Sequence, residues 1–359
     1  MPQGLNDSPR YDRLKSYEWN FENAPTESPQ VDIPTREGLW TYCGLPINSP
    51  LGIAAGPLLN GNWVRYYASL EFDVLTYKTV RSRPRECYEL PNLLPVHADM
   101  MSGDEDHVSA SDEWQGSWAV SFGMPSKAPE FWMEDVRQTK EKLSAGQILI
   151  VSVVGTMQPG WGIEELANDY AVCAKKAFES KADCVEMNFS CPNVCSEDGQ
   201  LFQSPEEAEL VAKTVRRTVD STSPLLVKIG HLQDVAILVE LLCRLDKVVN
   251  AIVTTNSVAS QVTESDGSIL FDGQQRGICG RATRDASIQQ VAQCRSIIEK
   301  QNLNLDVIGV GGIESADHVQ QYLNAGASSV QLATAPMIDP NIGIEIRKSL
   351  IAKQKDSGS

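Results

Sequence analysis

The sequence predicts a closed (β/α)8 barrel, and three observations lead to this fold class. Short apolar runs alternate with longer amphipathic stretches, which is the pattern of βαβ units around a parallel sheet. Eight such runs occur, the number of strands that closes a barrel of this type. Several end in polar or glycine-rich segments, as parallel strands do where a ligand binds. A doubly wound open sheet is the alternative that the same pattern allows.

Length and periodicity place the individual elements. We predict strands near residues 51–55, 74–79, 147–154, 183–188, 225–229, 250–255, 306–310 and 329–333. Helical patterns lie between most of these runs, for example at residues 163–181, 205–222, 232–245, 285–301 and 315–326. The regular order of strand and helix favours one large α/β domain over two smaller ones.

Three segments fall outside this alternation. Residues 1–38 are interpreted as an N-terminal extension and residues 351–359 as a polar C-terminal tail. Residues 81–120 contain prolines, acidic residues and tryptophans, and we expect them to form an insertion over the mouth of the barrel, after the second strand. Residues 39–350 then make up the barrel domain that carries the cofactor site.

Composition argues against several classes of partner. The 359 residues carry a net charge of −16 without a cluster of Lys and Arg, which disfavours nucleic acid and anionic membranes. We expect no signal peptide and no membrane span, because no apolar run is long enough. The nine cysteines include no CxxC pair, so no metal site is predicted. We therefore expect a cytoplasmic protein that acts on a small molecule, with the oligomeric state open and a homodimer among the candidates.

A thiol between two carboxamides follows the fourth predicted strand. Residues 185–193 run from an apolar strand into a loop that carries Asn188, Cys191 and Asn193. The two amides can exchange hydrogen bonds with a flat, carbonyl-rich ring, and the Cys191 side chain can take or return a proton. The alternative is an inert cysteine buried in a tight turn.

Small residues at the ends of the last two strands are typical of a phosphate site. Gly311 and Gly312 follow the seventh strand, and Ala333 and Thr334 end the eighth, where barrels commonly bind a phosphate. Gly280 adds another close approach of the backbone. Because no GxGxxG follows the first strand, the phosphate of flavin mononucleotide (FMN) is favoured over a dinucleotide. Ordinary turns are the alternative for any one of these segments.

Two lysines end apolar strands. Lys78 closes "VLTYK" and Lys228 closes "LLVK", so each ammonium group is predicted to point into the mouth of the barrel. A cation there can neutralise the negative charge that a flavin acquires when it accepts a hydride.

These motifs resemble the dihydroorotate dehydrogenase family. "NFSCPN" at residues 188–193 is similar to the active-site loop of that family, and further matches follow in one order. They are LGIAAGP (51–57), FDVLTYKTVRSRP (72–84), SFGMP (121–125), LLVKIG (225–230), TTNS (254–257), RGICG (276–280), GVGGIES (309–315) and SSVQLATA (328–335). Coupled motifs in a fixed order are far more specific than one motif alone.

The resemblance implies an FMN-dependent oxidoreductase that converts dihydroorotate to orotate in pyrimidine biosynthesis. Soluble members of the family carry Cys at the position of the base, whereas membrane-bound, quinone-reducing members carry Ser there and an N-terminal anchor. Cys191 therefore places the chain with the soluble group. The implied chemistry is removal of a carbon-bound proton by the Cys191 thiolate and transfer of the adjacent hydride to flavin N5.

The resemblance also assigns site residues. Lys78 and Lys228 match lysines that contact the flavin, and Lys78 also approaches the substrate. The further substrate-binding positions implied are Asn188, Asn193, Asn256 and Ser257. The further cofactor-binding positions implied are Ala54, Ala55, Gly56, Thr255, Gly280, Gly311, Gly312, Ala333 and Thr334.

Three functions stay open at this point. The first is dihydroorotate oxidation, and the second is oxidation of another dihydropyrimidine, as in dihydropyrimidine dehydrogenase. The third is a non-catalytic barrel that binds flavin or phosphate. Val120 bears on the choice between the first two. The family usually has Asn just before the SFGMP loop, and Val at this position cannot hydrogen-bond an orotate-like ring. The electron acceptor is open in either case.

Overall fold

Strands and helices alternate through most of the computed structural model, which describes residues 8–27, 29, 31, 40–190 and 200–356. The strands within these residues are β1 Trp40–Tyr42, β2 Leu45–Ile47, β3 Leu51–Ile53, β4 Val74–Val80, β5 Leu93–His97, β6 His107–Ala110, β7 Ser117–Val120, β8 Ile148–Val153, β9 Cys184–Asn188, β10 Leu225–Lys228, β11 Ala251–Thr254, β12 Val258–Thr263, β13 Arg276–Gly280, β14 Asp306–Val310 and β15 Ser329–Leu332. The helices are α1 Tyr17–Glu22, α2 Gly61–Ala68, α3 Pro129–Lys140, α4 Ile163–Glu179, α5 Pro205–Thr218, α6 Val235–Leu245, α7 Arg284–Gln301, α8 Ala316–Asn324, α9 Thr334–Ile338 and α10 Ile342–Asp356.

Eight parallel strands close into a barrel. Around the barrel they follow the order of the chain, β3, β4, β8, β9, β10, β11, β14 and β15, and β15 pairs with β3 to close the ring. These are the eight strands that the sequence predicts, each within two residues of its predicted limits. The closed ring excludes the open-sheet alternative, which would leave two strand edges unpaired.

The amino-terminal end of the barrel is filled by apolar side chains. Tyr42 and Ile47, from the β1–β2 hairpin, lie in one buried cluster with Val74, Ile148 and Cys184, which are the first residues of β4, β8 and β9. A larger cluster fills the layer between the barrel and its helices. A ligand can therefore reach the interior only from the opposite, carboxyl end of the strands.

Residues 81–120, predicted as an insertion over the mouth, contain three strands that the sequence analysis did not identify. β5, β6 and β7 join β12 and β13 in a second closed barrel of five strands. The second barrel has a buried core of its own, which includes Val96, Val108 and Ile278. Because its two halves leave the large barrel at the carboxyl ends of β4 and β11, the second barrel stands on the side where ligands bind.

The C-terminal residues correct one domain boundary. We predicted a polar tail from residue 351, but α10 continues to Asp356. Arg347 of this helix forms ion pairs of 2.8 Å with Asp73 and 2.9 Å with Glu71, just before β4. These contacts join the last helix to the amino-terminal end of the barrel.

We predict that Arg347→Met destabilises the fold strongly. The Arg347 side chain is 5% exposed and that of Asp73 is 2% exposed, so the substitution leaves a buried carboxylate without its cation. Breaking a buried pair in this way costs about 3–5 kcal/mol, which urea unfolding can measure. Arg137→Met is the matched control, because Arg137 is 40% exposed in its ion pairs and should matter little. Equal losses for the two variants would contradict the argument.

Candidate active site

Three of the predicted site residues lie at the carboxyl rim of the barrel. Asn188 and Lys228 are the last residues of β9 and β10, lie opposite each other across the two strands, and are 4% exposed. Lys78 is also buried, at 8% exposure, but it does not end its strand as predicted. β4 continues to Val80 and its register with β8 shifts between Tyr77 and Val80, so an irregularity follows the lysine.

The Asn188 amide is oriented by its own loop. Its Oδ1 accepts hydrogen bonds from the backbone N–H of Ser190 at 3.2 Å and from the Ser190 hydroxyl at 2.9 Å. Its Nδ2 has only long contacts of 3.5 Å, to Thr79 Oγ1 and Met124 Sδ. The amide can therefore donate to a carbonyl-rich ligand. Cys191 and Asn193, predicted as base and substrate ligand, lie outside the described residues.

A cleft opens beside this pocket. The predicted cofactor residues that line it are Gly280, Gly311, Gly312, Ala333 and Thr334. Gly311 and Gly312 have φ angles of 134° and 61°, which only glycine adopts without strain. Their N–H groups donate to no other described residue, and they are therefore available to an anion.

Charged groups at this cleft were missed by the sequence analysis. Arg281 and Glu314 both line the cleft, and Arg281 Nε lies 3.1 Å from Glu314 Oε2. Arg284 Nη1 lies 3.6 Å from the same carboxylate oxygen. Two guanidinium groups thus face one carboxylate, which leaves this edge of the cleft positive and suited to a phosphate. The available signal was position, because both arginines lie within four residues after the RGICG motif.

Buried polar atoms without partners lie beneath the site. Gln331 lines the cleft and donates from Nε2 to Thr76 Oγ1 at 3.0 Å, whereas its Oε1 has no partner among the described residues. Both carboxylate oxygens of the fully buried Glu186 also lack such partners. The Lys228 ammonium makes no hydrogen bond or ion pair with any described residue. Such groups are costly unless a ligand or water satisfies them. Gln331 precedes Ala333 by two residues, so the period of the strand could have identified it.

Of the other predicted residues, some lie at the cleft or beside it and others do not line it. Asn256 lines the cleft, and Ser257 lies against Gly277, where a side chain larger than hydrogen would meet its hydroxyl. Ala54 and Ala55 are buried after β3, and Gly56 is exposed. The Thr255 side chain does not line the cleft, because it is buried and its hydroxyl lies 3.1 Å from that of Thr254.

Cys279 is the described cysteine that lines the cleft. Burial raises the pKa of its thiol to about 11, while the Lys228 ammonium acts in the opposite direction. The group is therefore a neutral thiol near pH 7, and it donates to the carbonyl of Asn256 at 3.6 Å. A neutral thiol of this kind is not suited to act as a base.

Arg81 ties two loops of the mouth together and was also missed. It is fully buried, and its Nε donates to the Met124 carbonyl at 3.0 Å. Its Nη1 donates to the Gly155 carbonyl at 3.0 Å and to Thr156 Oγ1 at 2.9 Å. These bonds hold the loop after β7 against the loop after β8.

Fold and site together define a (β/α)8-barrel protein with a glycine-lined cleft, flanked by arginines, beside a pocket of lysine and amide groups. A sequence model of the family described as dihydroorotate dehydrogenase matches residues 112–353. The chain is also 31% identical to the dihydroorotate dehydrogenase of Dictyostelium discoideum, over 94% of this chain and 96% of that protein. The chain therefore belongs to the dihydroorotate dehydrogenase family.

The chain is also similar to a second kind of dehydrogenase and to a solved structure. It is 30% identical to a subunit of the NAD-dependent dihydropyrimidine dehydrogenase of Escherichia coli, over 83% of this chain and 68% of that protein. The crystal structure of the Eimeria tenella dihydroorotate dehydrogenase with ferulenol superposes with a TM-score of 0.73 at 15% identity, over 95% of this chain and 90% of that one. The structural likeness concerns the fold alone.

The described ranges lack two kinds of feature. None of the helices there is long and apolar enough to cross a bilayer. Nor do the residues of these ranges contain a group of three or more His, Cys, Asp or Glu side chains arranged to hold a metal ion.

Proposed function

We propose that this chain oxidises dihydroorotate to orotate with FMN as its cofactor. The family is one of oxidoreductases that act on CH–CH donors. The observation that carries the proposal is the meeting, at one rim, of an anion-binding cleft with Lys78, Lys228 and Asn188. The cleft suits the phosphate of a mononucleotide, and the buried amine and amide groups suit a ring that carries carbonyl oxygens.

The residues present fit FMN. The free N–H groups of Gly311 and Gly312 would hold its phosphate, with support from the positive edge formed by Arg281 and Arg284. The unpartnered Gln331 Oε1 can accept from a ring N–H, and the Lys228 ammonium can face a ring oxygen or nitrogen. When bound, FMN would supply an acceptor for a hydride.

The chain itself would bind the ring and move the proton. Lys78, Asn188, Asn193, Asn256 and Ser257 would orient dihydroorotate. The Cys191 thiolate would take the proton from one carbon while hydride leaves the adjacent carbon, so that a carbon–carbon double bond forms. Buried Lys228 would stabilise the negative charge that develops on the oxygen or nitrogen it faces.

A second candidate is oxidation of another dihydropyrimidine. Val120 favours it, because Val cannot hydrogen-bond a polar ring edge. Val120 pairs with Gly277 across β7 and β13, and Gly277 in turn lies against Ser257, a proposed substrate ligand. The residue is therefore close enough to this region of the pocket to influence which ring binds.

The cellular context is also a proposal. The described cysteines are free thiols, which supports a reducing cytoplasm. The proposed partners are a small-molecule substrate and an electron acceptor that the site does not identify.

We predict that the purified chain binds one FMN and that Gly311→Ala weakens this binding about tenfold. Ala at a φ of 134° costs about 1–3 kcal/mol, and its Cβ would also contact Ser287. Gly267→Ala is the control, because Gly267 has a φ of 85° but a Cβ at that position would meet no atom within 4 Å. Titration followed by flavin fluorescence measures both. A colourless parent chain that fails to bind added FMN would end the FMN proposal.

We predict that Cys191→Ala leaves FMN bound but slows flavin reduction by dihydroorotate at least ~10²-fold, the usual contribution of a positioned base. Cys195→Ala is the matched control and should have little effect. Anaerobic stopped-flow absorbance gives both rates. An unchanged rate for Cys191→Ala would refute its role as the base.

We predict that Val120→Asn tightens orotate binding about tenfold, because an unmatched polar edge costs ~1–3 kcal/mol. Val120→Leu is the control, since Leu has nearly the shape of Asn without its hydrogen bonds. Orotate affinity is measured by perturbation of the flavin spectrum. If Val120→Asn weakens orotate binding, or if neither it nor the parent binds orotate at millimolar concentration, the second candidate replaces the first.

A further inference from the structure

The loop at residues 121–126 touches two side chains of the proposed pocket. The Lys78 ammonium lies 5.5 Å from the centre of the Phe122 ring, within the range of a cation–π contact. Met124 Sδ lies 3.5 Å from Asn188 Nδ2. We call residues 121–126 the Phe122 loop. Phe122 and Met124 have no group that exchanges a proton, so these two side chains can shape the pocket but cannot act as acid or base.

The N-terminal segment packs on the Phe122 ring. The Tyr11 and Tyr17 rings have centroids 6.1 Å and 6.2 Å from it, at interplanar angles of 83° and 72°. These are edge-to-face arrangements, the favourable geometry for aromatic pairs. Tyr11, Tyr17 and Phe122 are 7%, 4% and 9% exposed, so the three rings form one buried unit.

Hydrogen bonds fix this segment both internally and to the barrel. Asn20 Nδ2 donates to the Asp12 carbonyl at 2.9 Å, and Asn20 Oδ1 accepts from the Asp12 N–H at 2.8 Å. Trp63 Nε1 donates to the Asn20 carbonyl at 3.0 Å, and Asn60 Nδ2 donates to that of Phe21 at 2.7 Å. Asn60 and Trp63 belong to the start of α2, so the segment is seated on the barrel through buried bonds.

We propose that residues 8–23 hold the Phe122 loop in place for substrate binding, with Tyr11 and Tyr17 as positioning residues. The inference deepens the proposed function and rests on it for the identity of the pocket. The rings carry this role, because the Tyr11 hydroxyl has no hydrogen-bond partner among the described residues. Loss of the rings lets Phe122 and Met124 move. Lys78 and Asn188 then lose the contacts that hold their side chains in place for the substrate. Substrate binding then weakens, while the chemical step and the phosphate cleft, which no residue of the Phe122 loop lines, are spared.

The test compares two double variants and one single variant of the full-length, FMN-loaded chain with the parent. Tyr11→Leu with Tyr17→Leu removes both rings, and Tyr11→Phe with Tyr17→Phe keeps them without the hydroxyl groups. Trp19→Leu is the control from the same helix, because Trp19 is 41% exposed and its ring faces Lys15. The measurements are KM and kcat, FMN affinity, and hydrogen–deuterium exchange of peptides that cover residues 119–127.

We expect the Leu pair to raise exchange in those peptides and to raise the KM about tenfold, the scale for losing two ring contacts. The kcat and the FMN affinity should stay within about twofold. The Phe pair and Trp19→Leu should behave like the parent. Unchanged exchange with unchanged KM would overturn the proposal. So would a raised KM with the loop still protected, or exchange that rises throughout the barrel.

Failure of the proposed function is a separate result. It appears in the parent chain, as an absence of bound FMN or of turnover with any dihydropyrimidine. The exchange comparison among variants does not depend on turnover, so it still shows whether the N-terminal rings hold the Phe122 loop.

Discussion

Closure of the parallel sheet is the constraint on which the site depends. Because all eight strands run in the same direction, their carboxyl ends form one rim, and residues distant in the chain become neighbours there. The bond between Thr76 and Gln331 joins positions 255 residues apart. The apolar plug around Tyr42 closes the other end, so the polar groups at the rim define the approach to the barrel interior.

Buried polar groups that have hydrogen-bond or ion-pair partners within the protein differ from those at the proposed ligand site, which lack them among the described residues. Arg81 and Arg347 are buried cations, and the described residues supply carbonyl, hydroxyl or carboxylate partners to both. Lys228 and Gln331 Oε1 are buried at the rim without such partners among those residues. Since unpaired buried groups cost about 1–3 kcal/mol each, their position beside an anion cleft is best explained by a ligand that completes them. Because Lys228 can only donate and Gln331 Oε1 can only accept, a ligand that completes both needs acceptors and donors of its own.

Much of the site could be predicted from the sequence because its residues follow strands that are buried on both faces. Asn188 and Lys228 end such strands, and the glycines at 311 and 312 follow another. Arg281, Arg284 and Gln331 were missed although they lie near predicted site residues, the arginines after the RGICG motif and Gln331 two residues before Ala333, because position near a motif does not show which way a side chain faces. The prediction that Lys78 ends its strand was wrong, because the register irregularity that follows it has no sequence signal.

The sequence by itself determined the large barrel, its family and the order of its site motifs, because apolar periodicity and coupled motifs are local properties. Only the tertiary structure decided how the remaining segments are used. β7 pairs with β13, which lies far along the chain, so the five-stranded barrel depends on pairings that no local pattern encodes. The stacking of Tyr11 and Tyr17 on Phe122 likewise exists only after the N-terminal segment has docked, because its energy comes from contacts between segments separated by more than 100 residues.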